Sequence, residues 1–258
     1  MNATKTELIY FRSKHTPIPE TSIKLNGIKL TANDQVKYVG ITFDEHLTFQ
    51  GHIKILNGKL KRANSLISIS RHYLCKELLM QIYYGQFYSH LIYGCQLWGQ
   101  NENHIDQTIT LQKKAVRLIT FSDYQAHSSP LFKKLKLLNL TDIVQFNNIM
   151  FTHSAINKTI PSIFEDYFQF KETTHEHETV NSLTSAYSFP VGSLLLPLYK
   201  NNAGKESIRY ICANIWNNIL KELSIKNPEN YDLDPFWINR TSNKNLKHIL
   251  KQHFLENY

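Results

Sequence analysis

Between Val36 and Phe49 the chain reads Val-Lys-Tyr-Val-Gly-Ile-Thr-Phe-Asp-Glu-His-Leu-Thr-Phe, and no other stretch limits its possible folds as much. Val36, Tyr38, Val39, Ile41 and Phe43 are β-branched or aromatic and crowd ahead of Asp44 and Glu45. That order predicts a strand that stops in a turn and passes into a helix. Gly40, in the middle of the strand, would let another backbone or a ligand come close. Such a strand needs partners, and they are expected just upstream. Glu7 to Phe11 is a short apolar run, and Ser22 to Leu30 sets Asn26-Gly27 between alternating apolar residues, the signature of a hairpin closed by a type I′ turn. A small antiparallel sheet is therefore expected at the start, with Pro17 and Pro19 between its first strand and the hairpin.

After residue 50 the apolar period becomes helical. Ile53, Leu56, Leu60, Ala63, Ile67 and Ser70 fall on one arc of a helix over 52–71, with Lys54 and Lys61 opposite and Arg62 to one side. Lys76 to Trp98 is aromatic-rich and apolar on more than one face, which predicts a central buried helix bent near Gly85 or Gly94. Ile105 to Phe121 is clearly amphipathic, with Lys113, Lys114 and Arg117 together on its polar side and Asp106 expected in its first turn, where a negative charge suits the helix dipole. Lys133, Lys134 and Lys136 form a second basic cluster. Further helical patterns cover 141–168, ended by Pro161, then 205–223 and 243–254, while Lys171 to Pro190 reads as a polar loop.

The expected fold class is α+β, mostly α: a small N-terminal antiparallel β-hairpin subdomain followed by a helical bundle. Residues 1–50 form the β-rich segment, 51–168 a helical domain, 169–204 a loop or linker and 205–258 a C-terminal helical region.

The formal charge of +8 is unevenly spread. Residues 1–140 hold 18 Lys and Arg against 9 Asp and Glu, and 141–258 hold 11 against 12, so a polyanionic partner is expected at the first half. Cys75, Cys95 and Cys212 cannot complete a set of disulfides and read as reduced thiols of an intracellular protein. Neither a secretory leader nor a run of 18 apolar residues is present in the sequence, so secretion and membrane spanning are not expected. His72 with Cys75, and His90 with Cys95, lack the paired spacing of a zinc site, and His175-Glu-His177 reads as loop. Nucleophile-elbow, zincin and P-loop motifs are all missing, and no small-molecule substrate is expected.

The string Tyr38-Val-Gly-Ile-Thr-Phe-Asp-Glu-His-Leu-Thr-Phe49 followed by His52-Ile53 resembles the segment that follows the polymerase palm in reverse transcriptases of non-LTR retrotransposons, the LINE and jockey type. The resemblance continues in the same order through Leu111-Gln-Lys-Lys-Ala-Val-Arg-Leu-Ile119 and Ala126-His127-Ser-Ser-Pro130-Leu-Phe-Lys-Lys-Leu135. It is weaker at Gly204-Lys-Glu-Ser-Ile-Arg-Tyr210 and Ile215-Trp216-Asn217. Asn2-Ala-Thr-Lys5-Thr6 matches an element late in the family's palm.

By that resemblance residues 51–168 would be thumb-like, Lys5 would sit near a departing pyrophosphate, and Lys37, Gly40 and their flanks would belong to a hairpin that grips the primer end. Lys54, Lys61, Arg62, Lys113, Lys114 and Arg117 would follow the phosphates of RNA or an RNA–DNA hybrid. Polymerisation in the family needs Mg²⁺ held by clustered aspartates. This sequence has no Asp-Asp pair and no carboxylate before Glu7. It reads as a truncated remnant that is not an enzyme on its own, has no catalytic or metal residues, and carries no cofactor, Mg²⁺ belonging to the intact family enzyme. Two departures stand out: Val180 takes the place of an arginine in the family's "HNTR"-like element, and Trp216-Asn217 is not followed by Leu-Pro. A helical protein-interaction or structural module is the alternative reading.

Overall fold

Asn26 and Gly27 both take positive φ, 50° and 78°, and close β1 (Lys24–Leu25) onto β2 (Ile28–Lys29) in the expected two-residue turn. In this computed structural model, residues 2, 5–19, 22–100, 102–171, 192–199, 204, 207–226 and 237–258 are described. The chain divides into two compact units, Met1–Leu131 and Phe132–Tyr258.

Within the first unit, the expected single strand over Val36–Phe43 is instead a second hairpin. β3 (Gln35–Tyr38) pairs antiparallel with β4 (Ile41–Asp44), Tyr38 facing Ile41 across a turn made of Val39 and Gly40. Both turn residues have positive φ, 44° and 82°. Gly40 is therefore a turn residue and not a mid-strand one. Val at the first turn position hid the hairpin, because a β-branched residue rarely accepts that conformation. The two hairpins form separate two-stranded sheets, and the Glu7–Phe11 run contributes only an isolated bridge from Leu8 to Ala32.

The passage from β4 into the first helix is organised by Asp44. One carboxylate oxygen accepts the backbone N–H of His46 (3.1 Å) and of Thr48 (2.9 Å), and the other accepts Phe49 N–H (2.6 Å) and the Thr48 hydroxyl (3.1 Å). Leu47 and Phe49 turn through the left-handed region there, and the carboxylate holds the turn that leads into the helix. Glu45 next to it receives Arg12 Nε at 3.0 Å and Nη2 at 2.8 Å, tying the first segment to the same corner.

Helix α1 (Gln50–Ser70) buries Ile53, Leu56, Leu60, Ala63 and Ile67, as the spacing predicts. The aromatic segment is not one regular helix: α2 (Lys76–Ile82) opens into a wider π-helical turn over Tyr83–Tyr88, resumes as α3 (Ser89–Ile92), breaks at Tyr93-Gly94 and ends in α4 (Cys95–Trp98). The irregularities coincide with the two expected glycines. Helix α5 (Glu102–Ile119) starts earlier than expected, so Asp106 lies beyond its first turn. Tyr83, Phe87, Leu91, Trp98, Ala115, Val116 and Ile119 are buried with the apolar arc of α1. Helix α6 (Ser129–Leu135) is where the chain passes from one unit to the next.

In the second unit, α7 (Leu140–Ile156) is capped by the Asn139 side chain accepting Asp142 N–H. The helical pattern ends before Pro161, as expected, and after it the chain makes a short 3₁₀ turn, Ser162–Tyr167. Helices α8 (Ile208–Lys226), α9 (Trp237–Arg240) and α10 (Asn243–Glu256) complete it. Its core holds Ile149, Trp216, Leu220, Leu246, Leu250 and Phe254. Asn217 brackets the backbone of Leu194, accepting its N–H at 2.7 Å and donating to its carbonyl at 2.9 Å, while Trp216 Nε1 donates to Gly192 O. The Trp-Asn pair of the sequence is thus a structural brace. The expected loop over 171–190, including His175, His177 and Val180, lies almost wholly outside the described residues. The fold is α+β and mostly α.

Removing the Asp44 carboxylate leaves the N–H groups of His46, Thr48 and Phe49 without their acceptor. Asp44→Ala is expected to lower the free energy of unfolding by about 2–3 kcal/mol in a urea melt, and Asp44→Asn, which keeps one acceptor oxygen, by less.

Candidate nucleic-acid interface

Two helices carry most of the basic residues singled out in the sequence, and a line of polar contacts sets how they lie together. Gln50 meets His104 (3.1 Å), the Asn57 amide donates to Gln107 Oε1 (3.0 Å), and Asn64 Nδ2 donates to Leu111 O (2.9 Å). The partners rise in number together, so α1 and α5 run parallel. Thr108 Oγ1 adds a buried hydrogen bond to Asn57 Oδ1 at 2.7 Å, and Gln112 Nε2 reaches the hydroxyl of buried Tyr83 at 3.1 Å. Burial drives the Tyr83 phenol well above its usual range. None of these polar residues stood out in the sequence. The clue was there in Asn57 and Asn64, seven apart and next to the apolar arc, where a solvated face would not place them.

This pairing places the lysines. Asn57 and Asn64 face α5, and Lys54 and Lys61 lie three or four residues from them, on the adjacent strip toward solvent. On α5, Lys114 is seven residues after Gln107 and shares its strip. Lys54, Lys61 and Lys114 therefore flank the outer edge of the α1–α5 seam. Lys113 lies further round α5. The side-chain nitrogens of Lys37, Lys54, Lys61, Arg62, Lys113 and Lys114 make no hydrogen bond or ion pair among the described residues, and all six side chains are exposed.

The remaining residues are placed differently. Arg117 is half-buried, and its Nε donates to Ala126 O at 2.8 Å, holding the following loop against the helix end. Arg62 and the unforeseen Lys59 lie near His90, whose pKa is lowered first by burial and then by those two charges. Lys5 is exposed, near the first unit's start, with its N–H on Asn2 O. Gly40 at its hairpin tip is approached by the Tyr93 ring, 3.4 Å from where a Cβ would sit, and the Tyr93 hydroxyl donates to Val39 O. The close approach expected at this glycine is made by a side chain of the chain itself. Lys37 is on the exposed side of β3.

His52, at the foot of α1, joins the hairpin to the helix: its Nδ1 accepts Thr42 N–H at 3.4 Å and its ring lies 6.1 Å from that of Trp98. Burial, and secondarily Lys59, lower its pKa.

The described residues do not fit a catalytic metal. Among the described residues no three His, Cys, Asp or Glu side chains converge on a point, and the Asp44 carboxylate at the centre of the motif is filled by its own turn's N–H and O–H groups. Burial pushes the thiols of Cys95 and Cys212 up to about 12, away from the thiolate a metal would need.

The chain is similar to three polymerases of Drosophila melanogaster. It is 26% identical over 152 residues to the probable RNA-directed DNA polymerase from transposon X-element, 55% of this chain and 16% of that protein. It is 29% identical over 150 residues to the RNA-directed DNA polymerase from mobile element jockey, 56% of this chain and 16% of that protein. To the probable RNA-directed DNA polymerase from transposon BS it is 31% identical over 147 residues, 53% and 16% respectively. The matched part of the chain is thus similar to RNA-directed DNA polymerases of mobile elements. It corresponds to about one sixth of the length of those polymerases. No family model matches the chain. No solved structure matches it. Among the described residues no helix is long and apolar enough to cross a membrane.

Two outcomes follow from the seam. Asn57→Leu alone strands the Thr108 hydroxyl and is expected to cost about 1–3 kcal/mol, whereas Asn57→Leu with Thr108→Val recovers most of the loss, measured as a double-mutant cycle in denaturant. With its folded pKa lowered, neutral His52 binds fewer protons than it does in the unfolded chain. Stability is therefore expected to fall as pH drops below about 6.5, and His52→Gln to flatten that slope in part, His90 contributing the same sign.

Proposed function

We propose that this region holds RNA or an RNA–DNA hybrid by its phosphates, as the part of a non-LTR reverse transcriptase that follows the palm, and that nucleotide addition is not carried by these 258 residues. The observation that supports this most is the set of exposed lysines, Lys54, Lys61 and Lys114, flanking the α1–α5 seam without ion-pair partners among the described residues. Lysines so placed neutralise successive phosphates and carry no sequence information. Lys37, Arg62 and Lys113 add charge on neighbouring faces, and residues 51–168 take the thumb-like role in this reading. No step is assigned to Mg²⁺, since among the described residues no carboxylates gather into a site for it.

A second reading has one observation in its favour. Ile55, Leu66 and Ile69 are 54%, 44% and 65% exposed along one side of α1, a surface suited to docking another protein. As a helical interaction module the chain would bind a partner there, and the lysines would only be solvated.

Fluorescence anisotropy with a labelled RNA–DNA hybrid over a range of salt separates the two. Affinity is expected to fall steeply with salt. Replacing Lys54, Lys61 and Lys114 together by Gln is expected to reduce the slope of log affinity against log salt by about one for each phosphate left without its lysine. Absence of binding even at low salt would leave the interaction module as the better reading.

A further inference from the structure

We infer that Arg71 and Phe121, at the C-terminal ends of α1 and α5, form a stacking platform for an unpaired base of single-stranded nucleic acid. The inference deepens the nucleic-acid reading given above and rests on it. Phe121 follows α5 as the residue that reverses the chain, with φ 55°. Phe121 N–H reaches Leu118 O and Ser122 N–H reaches Arg117 O, the pattern in which glycine usually takes this place. A bulky residue there is strained, yet the ring is not used for the core: it is 50% exposed. The Arg71 guanidinium lies over it, 5.1 Å from the centroid, and makes no hydrogen bond or ion pair among the described residues.

An exposed ring with a cation over it and unspent guanidinium donors at its edge suits a nucleobase, whose π-face stacks on the ring and whose phosphate takes the donors. The loop that follows is anchored by Arg117 on Ala126 and presents a second ring, Tyr124, at 82% exposure. Within eight residues of Phe121 or Arg71 the chain carries Lys113, Lys114, Arg117 and Lys76, with His72 and His127, against the carboxylates Asp123 and Glu77. That balance favours a polyanion as the ligand. The lysines of the seam need only a phosphate backbone, whereas this ring needs a base whose face is free, which a duplex supplies only at an end.

The test uses the full chain, oligouridylate and oligothymidylate each carrying one 2-aminopurine, and an RNA–DNA hybrid. Phe121→Gly removes the ring while supplying the residue the turn prefers, so that folding is preserved, and circular dichroism confirms it. Stacking is expected to quench the 2-aminopurine of the wild-type complex. Phe121→Gly is expected to abolish the quenching and weaken single-strand binding about tenfold, with hybrid affinity unchanged within about twofold, and Phe121→Trp to restore both. Arg71→Met, which keeps an apolar stem, should weaken single-strand binding severalfold. Comparing the two oligonucleotides tells RNA from DNA as the strand preferred. If the wild-type chain binds the hybrid and single strands but Phe121→Gly binds both as well as wild type, the platform is wrong and the phosphate-holding reading stands. If the wild-type chain binds neither, both fall.

Discussion

The parallel packing of α1 on α5 is the constraint on which the rest of the first unit depends. Parallel neighbours in a helical protein cannot be joined by a short turn, so the chain must travel back between them, and the aromatic segment Lys76–Trp98 is that return path. Its Tyr83, Phe87 and Leu91 fill the space under both helices. Buried amides and hydroxyls along the seam choose one register among the several that apolar contacts alone would allow. Each of Asn57, Asn64 and Thr108 must find its partner or lose the hydrogen bonds it had in water. Because the register is set in this way, the lysines one strip away from it are set too.

The residues that carry the resemblance to jockey-type polymerases are, for the most part, builders of corners. Asp44 gathers the donors of a turn, His52 receives an N–H from the hairpin, and Gly40 makes room for a tyrosine ring. Trp216 and Asn217 do the same for the second unit by gripping the backbone of Gly192 and Leu194. A motif of this kind reports a way of folding and says nothing by itself of the chemistry the relatives perform.

Charge follows the same division of labour. Cations needed for the fold are already engaged, Arg12 by Glu45 and Arg117 by a carbonyl, while those on the outer faces of α1 and α5 are exposed and unpaired among the described residues. Arg71 belongs to neither group, since what it touches is a ring. Two modes of contact are thus separable on one unit, a row of point charges for phosphates and a single aromatic face for a base.

Local chemistry was enough to locate most of the helices, because a 3.6-residue apolar period survives whatever the helix packs against, and to locate the Asn26-Gly27 turn, because few residue pairs tolerate positive φ. The excess of basic residues in the first half was equally legible. Three things were not. Val39-Gly40 is a turn only because the pairing of Gln35–Tyr38 with Ile41–Asp44 and the Tyr93 hydroxyl hold a β-branched residue where it would not go alone. The fate of Arg117 depends on a carbonyl in the following loop, Ala126 O. The seam itself rests on contacts between residues about 50 apart, such as Asn57 with Thr108, and long-range hydrogen bonds leave no trace in a local pattern.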